Sequence, residues 1–404
     1  MAVSVLLLGS LVVAPYARAN DTSARVVNVR VDQGLVGVNH PLELHEVVDT
    51  LTGQPLVGTG PSGYSPTTIR SYLGVTGTGA GQTIAIVSAF DHPNIASDLA
   101  TFDAQFGLPA PPTFKKVNQS GGTAYPSVDA GWAMETALDV EWAHAIAPSA
   151  GILLVEATSN AWSNLTAALS YASKQSGVTV ISNSWGVGEF KGETTNDTYC
   201  KLSNALCVFA TGDAGNPGTY PAYSPFVLSV GGTTLNLSTD AVTGAVTVTS
   251  ETTWIDSGGG VSLYETKPSY QTKVNASTKR GIPDVSYDAD PNTGFAIYDS
   301  ITFQGVTGWM QVGGTSAGAP QWAGIIALAD QARKAAGKGL LVGYTSSTYK
   351  ANSTIYGLTS GLADITTGTN GSCGSVCSAK AGYDFVTGVG SPRSGIISAL
   401  TAAP

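Results

Sequence analysis

Between residues 82 and 230 the chain alternates short apolar runs with longer segments of helical period, and that rhythm leaves few folds open. Residues 83–87, 152–155, 178–182, 207–210 and 226–230 are each short and dominated by Val, Ile, Leu and Ala, as buried strands are. Between them lie helical patterns. Ile95, Leu99, Phe102 and Phe106 fall on one helical face, with Gly107 placed as the stop. Residues 132–147 and 163–174 read as further helices. Strands alternating with such helices predict an α/β fold with a predominantly parallel central sheet and helices on both faces. In sheets of that kind ligands bind beyond the carboxyl ends of the strands. Ser182-Asn183-Ser184-Trp185-Gly186 and Thr211-Gly212-Asp213 both lie at such ends. Residues 233–299 read as short strands and Gly-rich loops, and the helix starting near Ser316 is apolar enough to cross the core.

Composition narrows the setting. Only 12% of the 404 residues are charged and the formal net charge is −9. With few bases and no Lys/Arg run, nucleic acid is not an expected partner. Sparse carboxylates also suit a protein working in acid, since fewer groups lose native ionisation as pH falls. Residues 3–13 are mostly apolar and Ala17-Arg18-Ala19 has the small-x-small pattern, so residues 1–19 read as a secretory signal. No other stretch is long and apolar enough to span a bilayer. The expected product is secreted, extracellular and monomeric. Residues 20–63 read as a short pro-segment or N-terminal extension, and 64–404 as the main domain. Four cysteines fit an oxidising compartment, and their spacing favours two local loops, Cys200 with Cys207 and Cys373 with Cys377.

The chemistry concentrates in three places. Gly313-Gly314-Thr315-Ser316-Ala317-Gly318 is a turn that can hold a serine oxygen at a helix start, where backbone N–H groups and the positive helix end face developing negative charge. Pro320 is expected in the first turn of that helix. Glu135 and Asp139 lie at i and i+4 on a helix with little polar surface, so the two carboxylates should share a buried face and a proton. Glu141 is the rival carboxylate but sits off that face. Asp213 follows a strand within Gly212-Asp213-Ala214-Gly215, placed either to cap its loop or, as a protonated acid, to donate to an oxyanion. None of His40, His45, His92 and His144 lies in a setting suited to activate a serine.

Glu135-x-x-x-Asp139, Gly212-Asp213-Ala214-Gly215 and Gly314-Thr315-Ser316-Ala317, in that order, resemble the sedolisins, serine-carboxyl peptidases of subtilisin-like fold. The likeness extends over Asp284-Val285-Ser286, over 290–294 and over the stretch around Asp364 and Asp384, and so from about Tyr64 to the end. It implies Ser316 as nucleophile, Glu135 as general base, Asp139 as its proton-sharing partner and Asp213 as part of the oxyanion hole. Protein or peptide substrates and an acid-active serine endopeptidase follow, the alternative being an inactive relative that binds peptides or surfaces. Trp185, Gly186 and 258–260 are expected to border the substrate strand. A structural Ca2+ is also implied, held by Asp364, Ile365, Lys380, Gly382 and Asp384. Lys380 departs from the glycine usual in that family, and the stretch before the domain is far shorter than the family's usual pro-domain.

Overall fold

A computed structural model of the chain describes residues 60–404 together with two strands, Ala24–Arg30 and Glu43–Asp49. The signal-peptide expectation for 1–19 and most of 20–63 lie outside the described residues.

The central sheet has eight strands. From one edge its order is Val285–Asp288, Val227–Thr239, Leu206–Ala210, Val178–Asn183, Thr83–Ala89, Gly151–Ala157 and Phe114–Asn118, each parallel to its neighbour. Val246–Thr253 adds an antiparallel strand against Val227–Thr239. The period-two geometry of each strand sorts its residues between two cores. Ile84, Ile86, Ile152, Leu154, Leu206 and Val208 join the core beneath helices Ala130–Ile146 and Thr315–Ala335. Ala85, Val87, Leu153, Val155, Cys207 and Phe209 join the opposite core, beneath helix Trp162–Ala172. This is the doubly covered α/β sheet that the sequence pattern predicts.

Helix Ile95–Phe106 ends at Gly107, whose φ of 68° is left-handed as a helix stop requires. The edge strand Phe114–Asn118 is absent from the sequence reading because Lys115 and Lys116 interrupt its apolar pattern. A second, four-stranded sheet joins Ala24–Arg30, Glu43–Asp49, Val306–Gly313 and Phe295–Phe303. Its Val306–Gly313 strand pairs with Glu43–Asp49 antiparallel, Gly313 opposite Glu43, and runs directly into the Ser316 turn. Both local disulfides are present, with Cα–Cα separations of 5.8 Å for Cys200–Cys207 and 5.2 Å for Cys373–Cys377. Among the described residues no helix is long and apolar enough to cross a membrane.

Candidate active site

Two helices and two strand ends converge on Ser316. Helix Ala130–Ile146 is capped by Asp129, whose carboxylate accepts from the Trp132 N–H at 3.0 Å. Almost every residue of that helix is buried, so its two carboxylates do not form a solvated stripe. It packs against helix Thr315–Ala335 at close range, because Gly324 has no Cβ; one there would come within 2.6 Å of the Ile146 Cβ. Trp142 fixes the helix laterally by donating from Nε1 to the Ala296 carbonyl at 2.9 Å.

The nucleophile turn is shaped by two glycines. Gly314 caps the helix at φ 109°, a conformation that side chains disfavour. A Cβ on Gly313 would lie 2.4 Å from the Pro291 nitrogen, so only glycine lets the 289–291 segment approach. The Gly314 N–H donates to the Ala289 carbonyl across that contact. Ser316 is thereby set at the second position of the helix with its Oγ donating to Glu135 Oε2 at 3.1 Å. Asp139, one turn on, accepts from the Ser184 hydroxyl at 2.7 Å. Ser316, Glu135 and Asp139 are all fully buried.

Burial raises the Glu135 carboxyl well above the usual carboxylate range, opposed by the Ser316 and Ser184 hydroxyls that favour its charged form. Burial and then the adjacent Glu135 charge raise Asp139 likewise, with Ser184 opposing. Both carboxyls are thus pushed toward their protonated forms, and their titrations are coupled.

Asp213 emerges from the end of strand Leu206–Ala210. Its Oδ1 accepts from the Thr315 N–H at 2.9 Å and from the Thr315 hydroxyl at 2.8 Å, which fixes the carboxyl beside Ser316. Thr315 Oγ1 in turn accepts from the Gly212 N–H at 3.0 Å. All four sequence-predicted residues are therefore gathered at the carboxyl ends of adjacent strands. Gly258 closes over the same loop by donating to the Gly212 carbonyl at 2.6 Å.

Two partners escaped the sequence reading. Ser184 and Thr315 orient Asp139 and Asp213, and their only sequence signal is position, beside a strand end and beside the nucleophile. Pro320 corrects an expectation: with the helix starting at Thr315 it lies past the first turn. Its missing N–H withdraws the i→i−4 donor from the carbonyl of Ser316 itself. Ser184 Oγ lies 3.4 Å from that oxygen. Glu141 points elsewhere, accepting from the Tyr298 N–H at 3.0 Å. His92 faces Asp98 and Asp299, and His144 faces Asp103, so these two histidines are engaged with other carboxylates.

At the C-terminal loops, Asp364 Oδ2 accepts from the Gly382 N–H at 2.7 Å, so the 364–365 and 380–384 segments are in contact. Buried Asp384 accepts from the N–H groups of Lys380, Val386 and Thr387. The Ile365 carbonyl accepts from the Thr387 hydroxyl at 3.4 Å. The segments that carry Asp364, Ile365, Lys380, Gly382 and Asp384 are thus neighbours, and carboxylate and carbonyl oxygens are the donors a hard cation takes.

The sequence profile of the Subtilase family matches residues 122–355. The chain is 32% identical to kumamolisin of Bacillus sp. (strain MN-32), over 82% of this chain and 62% of that protein. It is 27% identical to tripeptidyl-peptidase 1 of Dictyostelium discoideum, over 81% of this chain and 57% of that one. Thus it spans less than two thirds of the length of either relative. Among solved structures, Pseudomonas sedolisin complexed with two molecules of pseudo-iodotyrostatin superposes with a TM-score of 0.69 at 27% identity. That likeness covers 85% of this chain and 98% of the other.

Proposed function

This chain belongs to the sedolisin family within the subtilases, and from that premise we propose that it hydrolyses peptide bonds through an acyl-enzyme on Ser316. The observation that carries the proposal is the buried contact from Ser316 Oγ to Glu135 Oε2. Glu135 takes the hydroxyl proton as Oγ attacks the scissile carbonyl, then returns it to the leaving amine. Asp139 holds the proton that the pair retains, so Glu135 is charged when attack begins. Burial makes that carboxylate a stronger base than one in water.

The tetrahedral oxyanion forms near the N-terminal end of the core helix and the Asp213 carboxyl. Thr315 engages Oδ1, so a proton carried by Asp213 resides on Oδ2, from which it is donated to the oxyanion. This demands a protonated Asp213 and a singly protonated Glu135–Asp139 pair together, hence activity in acid and its loss toward neutrality. Endopeptidase action is the mode we assign: among the described residues no carboxylate is recognisable as one placed to hold a substrate N-terminus. Export to an oxidising compartment accords with the two disulfides.

The test is cleavage of an N-terminally blocked, internally quenched peptide library across the acid-to-neutral range. Ser316→Ala should abolish turnover, and Glu135→Gln should lower kcat by about a hundred- to ten-thousandfold. Cleavage only of peptides with free N-termini would replace the endopeptidase assignment with an exopeptidase one. Undiminished turnover in Ser316→Ala would end the proposal.

Asp364, Asp384 and the carbonyls of Ile365, Lys380 and Gly382 are the groups that would hold a Ca2+ in this reading. The ion would tie the 364–365 and 380–384 loops together and take no part in the chemistry. A chelator should therefore lower the melting temperature of the wild-type protein and leave that of Asp384→Asn unchanged.

A further inference from the structure

On the far side of helix Ala130–Ile146 from the nucleophile, one imidazole and two carboxylates come together. The ligand atoms of His92, Asp98 and Asp299 all lie within 4.8 Å of one another, and all three residues are buried. We propose that this trio is a binding site for a divalent first-row transition ion, with Zn2+ and Mn2+ as the fitting probes.

The distances favour an ion over a hydrogen bond. His92 Nε2 is 3.4 Å from Asp98 Oδ2 and 3.2 Å from Asp299 Oδ1. Charge-assisted hydrogen bonds between such groups run at roughly 2.7–2.9 Å. Nε2 makes no hydrogen bond to either oxygen, so it is aimed between them. Two ligands each about 2.1 Å from one tetrahedral or octahedral ion stand roughly 3.0–3.4 Å apart. The two edges from His92 Nε2 match such a polyhedron, and the two carboxylates lie within 4.8 Å of each other.

The unmet polar atoms point the same way. His92 Nε2 and Asp299 Oδ2 are buried with no hydrogen-bond partner, as is Oε1 of neighbouring Glu141. No described Lys or Arg forms an ion pair with Asp98, Asp299 or Glu141; nearby Lys116 is paired with Asp91 and Glu156. Burial pushes the Glu141 carboxyl toward its neutral form, whereas Asp98 and Asp299 have, among the described residues, only the His92 ring opposite them, and buried carboxylates so weakly compensated are costly. One nitrogen and two carboxylate oxygens suit borderline ions rather than Ca2+, which takes oxygen alone.

The carboxylate oxygens that face His92 are also held in place by hydrogen bonds, as ligands usually are. Asp98 Oδ2 accepts from the N–H and hydroxyl of Ser300, both at 2.9 Å, and Asp299 Oδ1 accepts from the Ile301 N–H at 2.7 Å. Loading the ion on Nε2 puts the ring proton on Nδ1, which faces the Asn94 N–H at 3.3 Å. That amide must turn aside, which its exposed position before helix Ile95–Phe106 allows. At the surface Asn94 Nδ2 donates to Ser300 Oγ at 3.0 Å, beside the trio. The ion would join the loop after strand Thr83–Ala89, helix Ile95–Phe106 and strand Phe295–Phe303. Because both imidazole and carboxylates must be deprotonated, the site fills near neutral pH and empties in acid.

The experiment uses full-length, untagged protein stripped with chelator and loaded with Zn2+ or Mn2+ at about pH 7.5, where imidazole is largely neutral. Gel filtration followed by elemental analysis should find one retained ion per chain, with a raised melting temperature. His92→Asn and Asp299→Asn should each weaken retention at least tenfold, whereas Asp364→Asn, in the C-terminal loops, should retain the ion. Should Asp299→Asn fail to fold, Asp98→Asn at the rim of the site serves in its place. Wild-type protein that retains no ion, or variants that retain it equally, would overturn the proposal. So would a His92 ring found doubly protonated at that pH by NMR.

Discussion

Ser184 sets one hydroxyl against both carboxyls of the proposed pair. It donates to Asp139 Oδ1 at 2.7 Å and so favours the ionised form of a carboxyl that burial otherwise holds protonated. A hydrogen bond to a charged group is worth about 1.5–3 kcal/mol, or at least about one pKa unit. Ser184→Ala should therefore move the neutral-side limb of the kcat profile, set by loss of the proton that Asp139 retains, upward by about one unit, with KM little changed. A uniformly reduced profile with unshifted limbs would show that Ser184 acts only through packing. The four proposed catalytic positions were legible in the sequence because each sits in a short motif whose residue types the chemistry requires. Ser184 and Thr315 were not, since their roles depend on which strand ends and turns become neighbours. The position of Pro320 was misjudged for a related reason: helix starts are set by caps, and here the cap is Gly314 rather than a residue nearer the proline.

The distance between Ser316 and Glu135 is fixed by the crossing of their two helices. Gly324 is a point of close approach, with room for no side chain between it and Ile146. Gly324→Val should force the helices apart, destabilise the protein by about 1–3 kcal/mol and lengthen the Ser316–Glu135 contact. Activity should then fall by a larger factor than the folded fraction, which paired thermal melts and single-turnover rates would reveal. Ala143→Ser, on the same face but without a larger branched side chain, provides a milder comparison. The elements themselves were readable wherever an apolar pattern ran uninterrupted. Strand Phe114–Asn118 was missed because an edge position tolerates Lys115 and Lys116, which blur the pattern. The hairpin of Phe295–Phe303 and Val306–Gly313 was missed because its alternation is broken by a register shift between Asp299 and Phe303.

Across the whole molecule, carboxyls outside the active site are also held protonated. Burial raises Glu141 and Asp288 well above the usual range, brings Glu156 up to about 8 and Asp330 to about 6. In the unfolded chain such groups ionise at roughly pH 4, so between there and pH 8 the folded state binds more protons than the unfolded. Stability should be full in acid and fall as pH rises through that window, the reverse of ordinary acid denaturation. Calorimetric melts at pH 4 and pH 8 would test this, and a higher melting temperature at pH 8 would contradict it. Sparse charge alone suggested tolerance of acid; the dependence on acid came from burial, which composition does not reveal. Finally, Glu135 and Ser316 are 181 residues apart along the chain. In the mechanism proposed above, a polypeptide emerging from the ribosome carries its proton acceptor long before its attacking oxygen, which arrives only with the core helix after every strand of the central sheet. On that proposal synthesis itself delays the onset of cutting: an unfinished chain has nothing with which to digest its neighbours.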